Sequence, residues 1–157
     1  MKLSIIQVGK TDAKFLREGL SVYYSRIRKM VALEVVTVEC PGNLRGRPGQ
    51  LLVKHEAELI SARFRQGDII ILLDEAGEQM GSRDLASFIR KTMNKGPKRI
   101  VFLIGGAWGV DDSLKAKANN MIALSKMTFS HQLVRLLFAE QLYRAFTIIN
   151  GLPYHHD

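Results

Sequence analysis

Five aliphatic residues in a row, Ile69-Ile70-Ile71-Leu72-Leu73, stand between the turn signal Gly67-Asp68 and the acidic Asp74. A strand with one wet face alternates apolar and polar residues, so an unbroken run this short suits a strand covered on both faces. Such strands lie inside parallel sheets, which need crossover helices, and the rest of the chain supplies them. Lys2 to Val8 reads as a first buried strand closed by Gly9. Thr11 or Asp12 can cap a helix in which Leu16, Leu20, Tyr23 and Ile27 make one inward stripe. A strand over about 32–39, a helix from Leu51 to Phe64, the central strand, a helix capped by Ser82 with Leu85, Phe88 and Ile89 inward, and a strand from Arg99 to Ile104 follow. The order β-α-β-α-β-α-β predicts an α/β fold, a mostly parallel sheet flanked by helices. With 157 residues, no internal repeat and no low-complexity linker, a single domain over 1–157 is expected.

Two stretches break the pattern. Pro41-Gly42-Asn43-Leu44-Arg45-Gly46-Arg47-Pro48-Gly49 predicts an irregular, mobile loop, whose Arg45 and Arg47 suit a solvated connection as well as a contact with RNA. Glu75 to Gly81 predicts a second loop. Beyond Ile104, Asp111 and Asp112 can cap a short helix reaching about Asn119, and Met121 to Leu124 reads as a fifth strand. The last helix, about Gln132 to Asn150, is apolar nearly all the way round: Leu133, Val134, Leu136, Leu137, Phe138, Leu142, Tyr143, Phe146, Ile148 and Ile149. A chain of this size does not easily cover so many faces, so a homodimer is expected.

Charge narrows the partner. The 23 basic residues outnumber 15 acidic ones, for a net charge of +8, which favours a polyanion: RNA, DNA or an acidic membrane face. One cysteine, Cys40, cannot make an internal disulfide, and four scattered histidines show no metal-ligand spacing, so no metal is expected. Leu3 to Val8 is too short for a signal-peptide core and no run reaches membrane-spanning length, which predicts a cytoplasmic protein.

In a parallel sheet Leu73, Gly105 and Leu124 end their strands at one edge, where three loops can enclose one pocket. Gly105-Gly106-Ala107-Trp108-Gly109 matches neither the G-x-G-x-x-G spacing nor the Gly-Lys-Ser/Thr phosphate loop. Alone it reads as a tight turn, just as Leu124 to Phe129 alone reads as an exposed strand end; together they suit an apolar slot of the kind adenine needs. Arg135 and Arg144, in one group with His131, are open to two readings: paired structurally with Glu140, or gripping phosphate. The tail, Tyr154-His155-His156, has groups that stack on an unpaired base and exchange protons near neutral pH. No Ser-His-Asp, Cys-His or paired-carboxylate arrangement is recognisable, so hydrolase chemistry has no support.

Taken together, Phe102-Leu103-Ile104-Gly105-Gly106, Leu124-Ser125-Lys126-Met127-Thr128-Phe129-Ser130-His131, Leu133-Val134-Arg135, Glu140-Gln141-Leu142-Tyr143-Arg144-Ala145 and Pro153-Tyr154-His155 resemble one family over essentially the full length. It is the RlmH family, the bacterial large-subunit ribosomal RNA pseudouridine N3-methyltransferases of the SPOUT superfamily. The resemblance implies a SPOUT-type alpha/beta knot with a trefoil near the carboxyl end, a homodimer, and S-adenosylmethionine as cofactor. It further implies methylation of N3 of a pseudouridine in 23S ribosomal RNA, free or in an assembled ribosome. Carried over residue by residue, the cofactor contacts fall on Leu73, Gly105, Leu124, Ser125, Lys126, Met127, Thr128 and Phe129. On that basis His155 and Tyr154 become the candidates for catalysis and base stacking, in the chain's own site or a partner's, and Arg135 and Arg144 the candidates for RNA phosphate. The rival class is a non-enzymatic basic ribosome-binding factor, which the charge fits equally well but which has no need of a closed slot.

Overall fold

The structure, a computed structural model, describes residues 1–44 and 46–156; Arg45 of the expected mobile loop lies outside them. Its elements follow the order β1 (Lys2–Val8), α1 (Lys14–Arg28), β2 (Leu33–Val38), α2 (Gly49–Ser61), β3 (Asp68–Gln79), α3 (Ser82–Asn94), β4 (Arg99–Ile104), α4 (Asp112–Lys115), β5 (Asn120–Ala123) and α5 (Leu133–Ile149). The strands form one sheet in the order β2-β1-β4-β3-β5, with every pairing parallel. The unbroken apolar runs are strands walled on both sides. Leu3, Ile5, Ile71, Leu73, Ile100, Phe102 and Ile104 pack under α1, α3 and α5, whereas Ile6, Val8, Ile70, Leu72, Val101 and Leu103 pack with Ala57 and Ile60 of α2 and Leu114 of α4. Each such side chain contributes about 1.5–3 kcal/mol by leaving water.

The expected α/β fold is what the chain adopts, and several local expectations are corrected. Neither Thr11 nor Asp12 caps α1, because both are engaged by α5: Thr11 Oγ1 accepts from Arg135 (2.8 Å), and Asp12 Oδ2 accepts from the Gln132 side-chain amide (3.1 Å). Tyr24, not Tyr23, is the buried tyrosine of α1, and α3 turns Ala86 and Thr92 into the core with Leu85 and Ile89 while Phe88 stays half-buried. Inside the supposedly irregular loop, Gly42–Leu44 forms a 3₁₀ turn. Ser82 does not cap α3; its hydroxyl donates to Gln141 Oε1 (2.8 Å), and the Asp84 carboxylate accepts from the Gly81 amide instead (3.2 Å).

The second loop differs most. β3 does not stop at Leu73 but runs to Gln79, and Ile122 of β5 is matched first to Leu73 and again to Glu78 as the register shifts. Gly77 lies directly against the β5 backbone at this point.

The amino ends of β3 and β4 are tied by a buried ion pair. Arg99 donates through Nε to Asp68 Oδ1 (2.9 Å) and through Nη2 to Asp68 Oδ2 (2.5 Å) and the Arg63 carbonyl (2.8 Å), while the Arg65 amide also donates to Asp68 (2.8 Å). Burial works to raise the Asp68 pKa, but these donors outweigh it and hold the carboxyl below its ordinary value. The folded carboxylate therefore takes up its proton less readily than the unfolded one, so its contribution is complete at neutral pH and fades as pH falls below about 4. Asp68→Asn is expected to cost about 3 kcal/mol in urea unfolding at pH 7. That gap should narrow in acid; one that stays constant down to pH 2 would show that the charge is not what matters.

Candidate active site

Parallel pairing brings the carboxyl ends of the central strands level. Leu73 is in register with Ile104 on one side and Ile122 on the other. The chain leaves β4 and β5 through loops while β3 continues past Leu73 through its register shift, and between these three segments lies a cleft of about 620 Å³. Leu73, Ile104, Ile122, Leu124, Val110 and Val134 give it apolar walls, and Ser125, Thr128 and Ser130 put hydroxyl groups at it. This mixture suits a ligand with a flat apolar part and polar ends.

Local bonds shape the loops. Ser125 Oγ accepts from the Met127 amide (2.9 Å), holding a turn, and Ser130 Oγ accepts from the Leu133 amide (3.1 Å), starting α5. Asp111 Oδ1 accepts from the Ser113 amide (2.9 Å), so that α4 begins where the sequence placed its cap. Gly105 is needed for space: a Cβ there would stand 2.5 Å from Val110 Cγ2 and 3.0 Å from the Gly109 carbonyl oxygen. At the rim Lys115 pairs with Asp74 (3.6 Å), whose Oδ1 also accepts from the Ala76 amide (2.9 Å). His131 lines the cleft too, and burial, reinforced by the charge of Arg135, holds its imidazole pKa below the ordinary value.

Of the residues carried over as cofactor contacts, Leu73, Gly105, Leu124, Ser125, Met127, Thr128 and Phe129 line this cleft; Lys126 is exposed and does not. Asp74, Trp108 and Lys115 line it without having been singled out. The glycine-rich sequence around Trp108 was a visible signal, and Lys115, an ordinary surface lysine by pattern, was not. Among the described residues, no group of three or more His, Cys, Asp or Glu side chains is placed to hold a metal ion, and no helix is long and apolar enough to cross a membrane.

A family model described as predicted SPOUT methyltransferase matches residues 1–155. The chain belongs to the SPOUT methyltransferases. Among relatives of this SPOUT methyltransferase, the ribosomal RNA large subunit methyltransferase H of Parabacteroides distasonis is 39% identical over 157 residues, covering 100% of both chains. The protein of the same name from Cytophaga hutchinsonii is 44% identical over 156 residues, covering 99% of this chain and 100% of its own. Among solved structures, a probable methyltransferase from Bordetella pertussis Tohama I superposes with a TM-score of 0.56 at 11% identity, covering 92% of this chain and 93% of that one, a likeness of fold alone.

Both arginines expected on RNA phosphate take part in this SPOUT methyltransferase's own framework. Arg135 is 0% exposed, and its guanidinium donates to the Gly9 carbonyl (2.9 Å), to Thr11 Oγ1 (2.8 Å) and to the Val8 carbonyl. It closes the carboxyl end of β1 and cannot reach a phosphate; Glu140 is not its partner. Arg144 does take Glu140, donating to Oε1 through Nε (3.1 Å) and Nη2 (2.5 Å). The same Glu140 oxygen accepts from the Tyr154 hydroxyl (3.2 Å), and Arg144 lies 4.9 Å from the Tyr154 ring centroid and 3.3 Å from His155 Nδ1. Tyr154 also meets Tyr143 edge to face at 4.7 Å. Burial first, then the neighbouring Tyr23 and Glu140, push the Tyr154 phenol well above its ordinary pKa. The tail is thus laid on α5, and neither Tyr154 nor His155 lines the chain's own cleft.

Proposed function

We propose that this SPOUT methyltransferase moves the methyl group of S-adenosylmethionine to N3 of a pseudouridine in large-subunit ribosomal RNA, working in the cytoplasm as a homodimer. The observation that carries the reading is the meeting of β3 at Leu73 with the loops after β4 and β5 in one cleft, on a chain whose full-length relatives are named ribosomal RNA large subunit methyltransferases. The cleft fits the cofactor: its walls are apolar where an adenine would lie, and at Gly105 the backbone is so crowded that a Cβ has no room. Residues Leu73, Gly105, Leu124, Ser125, Met127, Thr128 and Phe129 would hold it. The close pass of Gly77 over β5 supports the trefoil path that the family resemblance implies.

Bound there, S-adenosylmethionine supplies an electrophilic methyl group. The protein's part is then mainly to hold the base nitrogen in line and keep water from the apolar wall. A uracil-type N3 bears a proton that must leave. His155, with Tyr154 stacking on the base, is assigned to assist that loss or orient the base. Since the tail does not line its own cleft, we place it at the cleft of the twin subunit. A second, apolar groove supports this arrangement: Tyr23, Met80, Leu85, Leu136 and Leu137 line it, and it shares Ile122, Leu124 and Phe129 with the cleft, so a copy seated there would also reach the methyl-transfer site.

Labelled S-adenosylmethionine, incubated with the protein and large ribosomal subunits from cells lacking its gene, should leave label on one pseudouridine. Ribosome binding with no label would favour the basic binding factor. His155→Ala is expected to slow transfer by about 100-fold or more while cofactor affinity stays within about two-fold. Unchanged turnover would remove His155 from the mechanism.

A further inference from the structure

We propose that Trp108 is a stacking platform for an unpaired RNA base flanking the target nucleotide, an assignment that rests on the methyltransferase reading and extends it. Trp108 is the chain's only tryptophan, lines the cleft, and is 68% exposed. One side of the ring is nevertheless backed. The turn that bears it is closed by the Gly109 amide donating to the Gly106 carbonyl (3.1 Å). Behind the indole stands Gly49, at the start of α2, so close that a Cβ there would be 2.8 Å from indole Cδ2 and 2.9 Å from Cε3. A glycine at this place lets the ring lie against backbone, while most of its surface remains open to water.

Packing does not account for so large an apolar side chain at the mouth of a polar-rimmed cleft, because most of its surface is exposed. A rigid aromatic held ready is what base stacking requires, since every base presents a π-face and the ring loses little freedom on binding. The apolar interior of the cleft suits the cofactor's adenine, whereas the lip faces the incoming polyanion. Lys115, paired with Asp74, lines the same cleft as the ring. RNA recognised outside a duplex offers splayed bases, which an exposed indole at the mouth of the cleft can stack on.

Because there is one tryptophan, its fluorescence reports on this site alone. A short oligouridylate at low salt is expected to quench it, and S-adenosylhomocysteine alone is not. In steady-state methylation of undermethylated large subunits, Trp108→Ala should raise KM about ten-fold with kcat and S-adenosylhomocysteine affinity within about two-fold, and Trp108→Phe should restore most of the KM. Quenching by S-adenosylhomocysteine alone, a KM unmoved in Trp108→Ala, or a changed oligomeric mass in that variant would overturn the assignment, moving the ring to the cofactor, to no role, or to a subunit contact. Should the wild-type protein transfer no methyl group at all, the methyltransferase reading falls and the oligouridylate titration by itself decides the role of Trp108.

Discussion

Gly77→Ala is expected to unfold under conditions that leave the wild-type protein native. A Cβ at this position would lie 2.6 Å from both the amide nitrogen and the carbonyl carbon of Ile122, and 2.7 Å from the carbonyl carbon of Met121. These are backbone atoms, so no side-chain rotation relieves the overlap. Nor can β5 retreat easily. It is paired with Ile71, Leu72 and Leu73, and just before it Asn119 is fastened to Ile70, accepting its amide at Oδ1 (2.7 Å) and donating its own amide to the Ile70 carbonyl (2.8 Å). Ordinary overpacking costs about 1–3 kcal/mol, and a clash with fixed backbone belongs above that range. Against a typical total stability of about 5–15 kcal/mol, a loss of about 4 kcal/mol would shift the urea midpoint strongly. Ala76→Ser, one position earlier on an exposed side chain, provides the control. Equal midpoints for Gly77→Ala and the control would refute the close pass.

The second large effect concerns binding. Gly105→Val should lower S-adenosylmethionine affinity by more than about 100-fold in calorimetry, because the first added carbon already overlaps Val110 Cγ2 and crowds the Gly109 carbonyl, and a branched side chain must push that loop across the cleft. Circular dichroism should show the sheet retained, since Gly105 lies just past the end of β4. A variant that binds the cofactor normally would remove Gly105, and with it the cleft, from the assignment.

What the amino-acid sequence disclosed follows from which physical signals are local. The runs Ile69 to Leu73 and Ile100 to Ile104 are legible because burial on both faces leaves no alternation, and the meeting of Leu73, Gly105 and Leu124 follows from their strands being parallel. The continuation of β3 through Glu75-Ala76-Gly77-Glu78-Gln79 carries no apolar pattern, since its partners come from β5, over forty residues later. Tyr23 and Tyr24 both satisfy helical spacing from Leu20, so only the packing against α5 separates them. Arg135 looks like a surface cation among apolar neighbours; that three oxygens near the first strand's end would accept its hydrogen bonds is a long-range fact. The tail's lodging on Glu140, Tyr143 and Arg144 is equally invisible in spacing.

The placement of α5 bears on how the molecule comes into being. Phe138, Leu142 and Phe146 of α5 complete the face that holds Leu3, Ile5 and Phe102, and Arg135 stoppers the first strand. While the forty residues from 118 to 157 are still inside the translating machinery, a nascent chain has β1 to β4 and α1 to α4 made, and the sheet face that receives α5 is covered only by α1 and α3. The docking of α5, made after every strand of the sheet, is the step that shuts the interior.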